Sequence, residues 1–276
     1  MSCEGCPSKG NCGKDASSCG VIENKHANIK NVITIMSGKG GVGKSTVTVM
    51  LAKSLAKLGY KVGIMDADIT GPSIPRLMHV QDAQCYATAE DQIIPIVSEG
   101  IKIMSSNFIL KNETDPVIWR GAIISNVVKQ FYTDVMWEDL DFLLIDMPPG
   151  TGDVALTIMQ SLPVTGVVMV STPQPMVSMI VEKAIHMCEQ MNIPVLGIIE
   201  NMAYLECPNC SERIDFYNLE ELDTFIANTQ TKLYATLPML GLIRDINKYM
   251  EYSEIQKHVV DDYLTKVAEQ LAEDVK

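Results

Sequence analysis

Short apolar runs recur along most of the chain: Asn31–Met36 (NVITIM), Lys61–Asp68 (KVGIMDAD), Asp141–Asp146 (DFLLID), Gly166–Ser171 (GVVMVS) and Val195–Asn201 (VLGIIEN). They are β-rich and nearly continuous rather than alternating, which predicts strands buried on both faces. Between them, apolar residues at helical spacing predict helices over Lys44–Leu58, Ala122–Trp137 and Met176–Met191. Strand and helix in alternation imply an α/β fold of three layers, a mostly parallel sheet with helices on both faces. The C-terminal stretch VVDDYLTKVAEQLAEDVK also has helical apolar spacing and is expected to pack on this domain. The start of the chain is different. Its first 20 residues hold four cysteines, four glycines and almost no large apolar side chain, so they cannot build a core. We therefore divide the chain into a cysteine-rich segment, 1–25, expected to be flexible unless a metal orders it, and a single folded domain, 26–276.

Composition narrows the function. The chain has 276 residues, 47% hydrophobic and 20% charged, as expected of a globular protein. With 34 acidic against 22 basic residues the net charge is −12, which argues against nucleic acid as the main partner. The C-terminal helix, with five acids and two lysines, is a poor anchor for anionic lipid. No apolar run approaches the ~18 residues of a membrane span. The N-terminus MSCEGCPSKG lacks the apolar core of a signal peptide, so a cytoplasmic location without membrane contact is expected. Eight cysteines in such a chain point to metal or redox chemistry before disulfides.

One stretch states its chemistry directly. GKGGVGKST, the residues Gly38, Lys39, Gly40, Gly41, Val42, Gly43, Lys44, Ser45 and Thr46, fits G-x-x-x-x-G-K-[ST] between a predicted strand and a predicted helix. Glycines let backbone N–H groups close around phosphate, and the helix N-terminus adds a favourable dipole. Lys44 is expected to reach the β- and γ-phosphates and Ser45 to ligate Mg²⁺. Downstream, Asp66 and Asp68 close a strand in MDADITGPSIP, and Asp146 closes another in DFLLIDMPPGTGD. Carboxylates at strand ends stand where α/β sheets bind ligands. Each alone is weak, since many such residues cap helices; two loops of this kind after a phosphate loop form a constellation.

Lys39, a second lysine at the loop's start, resembles the deviant Walker ATPases, the group of MinD, ParA and nitrogenase reductase. That resemblance implies a three-layer P-loop NTPase fold and a face-to-face homodimer in which Lys39 reaches the partner's ATP. It also implies that Asp68 orients the attacking water, Asp66 lies near the Mg²⁺ shell, Asp146 is the Walker B aspartate and Gly150 to Gly152 form a switch loop. On this reading Lys39, Lys44 and Asp68 are the catalytic candidates. Together MDADITGPSIP, WRG (Trp119 to Gly121), DMPPGTGD and ENMAYLECPNC resemble, over roughly residues 28–260, the Mrp/ApbC-type iron–sulfur cluster carriers. The resemblance implies that Asn201 contacts adenine and that Cys207 and Cys210 bind metal. MinD and ParA lack this cysteine pair. There is one departure: proline usually follows WRG, and here the residue is Ala122.

A Cys-x-x-Cys pair supplies half of a four-thiolate site. A symmetric dimer brings two pairs together, enough for a bridging [4Fe–4S] cluster or for zinc. The first 20 residues read Cys3-x₂-Cys6-x₅-Cys12-x₆-Cys19. The run CEGCPSKGNC resembles the end of an N-terminal cluster motif in the eukaryotic cytosolic branch of the same family, with Cys19 as the expected fourth ligand; the competing reading is a tail with incidental thiols. Cys85 and Cys188 lack metal spacing and are expected to be ordinary.

Two function classes follow. The first is an ATP-hydrolysing carrier that assembles [4Fe–4S] clusters and passes them to apo iron–sulfur proteins. The second is a MinD/ParA-like positioning ATPase with a structural zinc at its dimer interface. That class calls for a basic patch or a membrane helix, and the charge balance supplies neither. An electron-transferring reductase ranks third, because its bridging cysteines belong in other loops.

Overall fold

Strand β1 (Ala27–Ser37) shows how the chain builds its layers. Val32 and Met36 point to one apolar cluster and Ile33 and Ile35 to the other. Both faces of the strand are therefore buried, as its continuous apolar run requires. The structure is a computed structural model that describes residues 21–110, 121–173, 175–206, 210, 212–215, 229, 231–239 and 254–276. The Cys3, Cys6, Cys12, Cys19 and Cys207 positions, and Trp119 and Arg120 of WRG, lie outside the described residues.

The remaining strands are β2 (Val62–Asp66), β3 (Ile96–Ser98), β4 (Ile101–Met104), β5 (Glu138–Asp146), β6 (Gly166–Ser171), β7 (Val195–Glu206), β8 (Arg213–Asp215) and β9 (Leu233–Pro238). They form one sheet in the order β3-β4-β2-β5-β1-β6-β7-β8, with β9 also on β7. All pairings are parallel except β3 with β4 and β7 with β8. Helices α3 (Ala122–Thr133), α4 (Asp153–Ser161) and α5 (Pro175–Gln190) cover one face through Phe131, Ile158, Val181 and Ile185. Helices α1 (Lys44–Lys57), α2 (Ile74–Leu77) and α6 (Glu254–Asp274) cover the other through Leu51, Leu55, Ile74, Leu264 and Leu271. The three-layer expectation holds, and the C-terminal helix packs as expected.

One expected element is corrected and one is added. The third helix stops at Thr133 rather than Trp137, with Asp134 as its cap. Val135 and Trp137 instead turn inward, and the buried indole Nε1 donates to the carbonyl oxygen of Phe131 at 3.0 Å. A buried indole N–H needs an acceptor, and the last turn of a helix has carbonyls to spare. The hairpin of β3 and β4 was not anticipated. Its signal is Glu99–Gly100, both at positive φ (50° and 79°), as a two-residue hairpin turn requires.

Candidate nucleotide and metal site

The ends of β1, β2 and β5 converge on the phosphate loop. Ser37 ends β1 and its hydroxyl donates to the carbonyl oxygen of Lys39 at 3.1 Å, which helps fold the loop back. Gly41 and Gly43 take left-handed φ of 81° and 80°, and Gly43 is the residue just before α1. Gly38 is needed for space: a Cβ there would stand 2.9 Å from Ile180 Cγ2 of α5. Lys39 is half-buried at the start of the loop, Gly40 lies near Pro149, and Thr46 is buried in the first turn of α1.

Lys44 is buried and its ammonium donates to Asp146 Oδ1 at 2.7 Å. The Ser45 hydroxyl donates to Asp146 Oδ2 at 2.6 Å. The two loop groups assigned to phosphate and cation thus meet on the one carboxylate expected to serve a Walker B role. Asp66, fully buried, accepts from the amides of Asp68 and Ile74, each at 3.3 Å, and from the Ser105 hydroxyl at 3.2 Å. Burial, with Asp146 adding and Lys44 opposing, pushes the Asp66 carboxyl up to about 8. Burial also raises Asp68, which stays half-exposed, and Lys44 opposes the shift. Asp66 therefore braces the loop that carries Asp68, a role the sequence reading did not assign. The switch loop is latched to the same place, with the Gly150 amide donating to the Ser37 carbonyl oxygen at 2.8 Å.

Asn201 sits beneath the loop. Its Nδ2 donates to the Val42 carbonyl oxygen at 2.9 Å, while its buried Oδ1 has no partner. A Cβ on Gly43 would collide with that same amide nitrogen. The orphaned oxygen fits a donor such as an adenine amino group, because a buried unsatisfied acceptor is costly. The oxygens of Ser45 and Asp146 suit a hard cation such as Mg²⁺. Among the described residues no three His, Cys, Asp or Glu side chains form a metal cage, so Mg²⁺ would lean on the nucleotide's phosphates, as it usually does.

Strand β7 continues past Asn201. Met202 adopts a left-handed φ of 57° and the register with β9 shifts there. The strand then pairs with β8, Glu206 opposite Arg213, so that Cys207 follows directly on its last residue. Cys210 is exposed and not in a disulfide. Cys85 is half-buried and Cys188 is buried, and neither is in a disulfide. Burial pushes their thiols up to about 11 and about 12, which disfavours the thiolate that binds metal. Besides Asp66's bracing role, sequence reading missed Ser105 and Thr48, whose hydroxyl stands 2.8 Å from Asp146 Oδ1; the available signals were the Ser-Ser after the run IKIM and a polar residue on the buried face of α1.

A phosphate loop between a strand and a helix, a carboxylate at the neighbouring strand end and a parallel sheet define a P-loop NTPase. The family described as ParA, the NUBPL iron-transfer P-loop NTPases, matches residues 28–275, and this chain belongs to it. An iron–sulfur cluster carrier protein of Clostridium perfringens is 42% identical over 280 residues, 95% of this chain and 96% of its own length. The nucleotide-binding protein of Archaeoglobus fulgidus, solved in complex with ADP, is 39% identical with a TM-score of 0.69, covering 86% of this chain and 88% of its own. The cell division protein MinD of Aquifex aeolicus, 18% identical with a TM-score of 0.59 over 87% of this chain and 96% of its own, shares the fold alone. Among the described residues no helix is long and apolar enough to cross a membrane.

Proposed function

We propose that this chain is an ATP-binding, ATP-hydrolysing carrier that assembles [4Fe–4S] clusters and transfers them to apo iron–sulfur proteins. The observation that carries this reading is strand β7, which supports the phosphate loop through Asn201 and runs directly into Cys207. One element of a chain of this family then serves both sites, the nucleotide from its middle and the cargo from just beyond its last residue.

In this reading the loop amides and Lys44 hold the phosphates, and Asn201 takes adenine. Asp68 orients the attacking water, with Asp66 fixing its loop. Bound Mg²⁺ would neutralise phosphate charge from Ser45 and the Asp146 carboxylate. Lys39 acts on the partner's nucleotide in a homodimer. One chain offers two thiolates at Cys207 and Cys210, so the cargo cluster bridges two copies and is released when they part. Cys3, Cys6, Cys12 and Cys19 hold a second cluster within one chain.

The test is anaerobic purification with iron, sulfide and zinc analysis, followed by transfer to an apoprotein and Mg²⁺-dependent ATP hydrolysis. Lys44→Ala should weaken ATP binding. Cys207→Ser/Cys210→Ser should bind ATP normally yet donate no cluster. A double variant that still donates clusters normally refutes the carrier site. Stoichiometric zinc without iron favours the positioning ATPase.

A further inference from the structure

We propose that Thr48 is a positioning residue of the nucleotide site, holding the Asp146 carboxylate in place and so setting how strongly Mg²⁺ tightens nucleotide binding. The proposal rests on the nucleotide reading above and deepens it. Thr48 lies outside the loop motif, one helical turn beyond Lys44, and is fully buried. Its Oγ1 stands 2.8 Å from Asp146 Oδ1 and 3.0 Å from the Lys44 carbonyl oxygen. A threonine that bonds the carbonyl four residues back is ordinary in helices and by itself signals nothing. Here the shorter contact goes to a carboxylate that is fully buried and salt-bridged, the kind of acceptor that gains most from a hydroxyl.

The three donors to Asp146 are not equivalent. Lys44 and Ser45 are the two groups that the loop motif commits to phosphate and cation, so a bound nucleotide draws both toward itself. Thr48 is the third, and it has no such competing task. Its hydroxyl sits behind the loop, tied to the first turn of α1, and it joins the end of β5 to that helix. When Lys44 and Ser45 turn to ligand, Thr48 is the donor left to hold Oδ1. A carboxylate held in one rotamer meets a cation without first losing that freedom, which is where affinity is gained. The thermodynamic signature is specific: the hydroxyl should matter to the Mg²⁺-dependent part of nucleotide affinity and not to the metal-free part.

The experiment titrates ATP into the full chain by calorimetry, once in EDTA and once at saturating Mg²⁺, and reads the ratio of the two affinities. Wild type and Thr48→Ser should share one ratio. Thr48→Val, equal in shape, should lower it about tenfold, as expected for losing a hydrogen bond to a charged group, with unchanged affinity in EDTA. An unchanged ratio in Thr48→Val overturns the proposal. An equal fall in Thr48→Ser also overturns it, because the methyl group and not the hydroxyl would then carry the effect. If Thr48→Val fails to fold, Thr48→Ser against Thr48→Ala makes the same comparison, since they differ by the hydroxyl alone. A wild type that binds no ATP in either medium refutes the nucleotide reading itself, which is a different failure.

Discussion

Asp66 is a carboxyl group with no access to water, and its surroundings suit the neutral form. Its burial, with the Asp146 carboxylate close by, outweighs the attraction of Lys44. The ordinary carboxyl value is 3.8 and the folded one about 8, so the folded chain keeps a proton that the unfolded chain releases across that window. This stabilisation is complete below the ordinary value and is lost as pH rises through about 8. The nucleotide-free chain should accordingly melt at a lower temperature at pH 8 than at about pH 5. Asp66→Asn, neutral throughout, should lose that part of the slope. Thermal denaturation across the range checks this, and parallel slopes for the two proteins would show that burial of Asp66 does not govern it.

Among the elements, the decisive contact is between the phosphate loop and β7. Gly41 and Gly43 share a left-handed backbone, but only Gly43 has a neighbour where its Cβ would stand, the Asn201 amide. Gly41→Ala should cost about 1–2 kcal/mol for the backbone alone. Gly43→Ala should cost more and weaken ATP binding further, because Asn201 must leave the Val42 carbonyl. Melting temperatures and ATP titrations of the two variants separate these contributions; equal losses would mean that β7 does not support the loop. Met202, just beyond, breaks register with β9 before the strand goes on to pair with β8. The same strand was legible as far as Asn201 from its apolar run. Its continuation was not, because Met202–Glu206 (MAYLE) is short, has no β-branched residue and follows the polar pair Glu200–Asn201.

For the whole molecule, the two groups of cysteines attach at opposite ends of the sheet. The Ile22 amide bonds to the Ser161 carbonyl oxygen at 2.7 Å, at the end of α4, and Ala27 pairs with the first residue of β5. The N-terminal segment therefore joins the domain at the end of β1 remote from the phosphate loop, whereas Cys207 follows the loop-side end of β7. A homodimer that shares its nucleotides has a test at this scale. Subunits carrying Lys39→Ala and subunits carrying Lys44→Ala should each hydrolyse ATP poorly. Mixed, they place both lesions in one composite site and leave the other intact, so part of the activity should return. No rescue in heterodimers shown to form would count against a lysine that acts across the interface.

The amino-acid sequence by itself determined a mostly parallel sheet, the places of its main strands along the chain and the phosphate loop. Those features are local, written as apolar runs and as glycines and a lysine at set spacing, and every residue of the motif lies within nine consecutive positions. The tertiary structure alone decided what surrounds the phosphate. Thr48 meets Asp146 across 98 positions, Asn201 meets Val42 across 159, and Ser105 meets Asp66 across 39. No period or spacing encodes these pairs. Each exists because parallel strands set side by side bring their ends, and whatever polar residues they carry, to one end of the sheet.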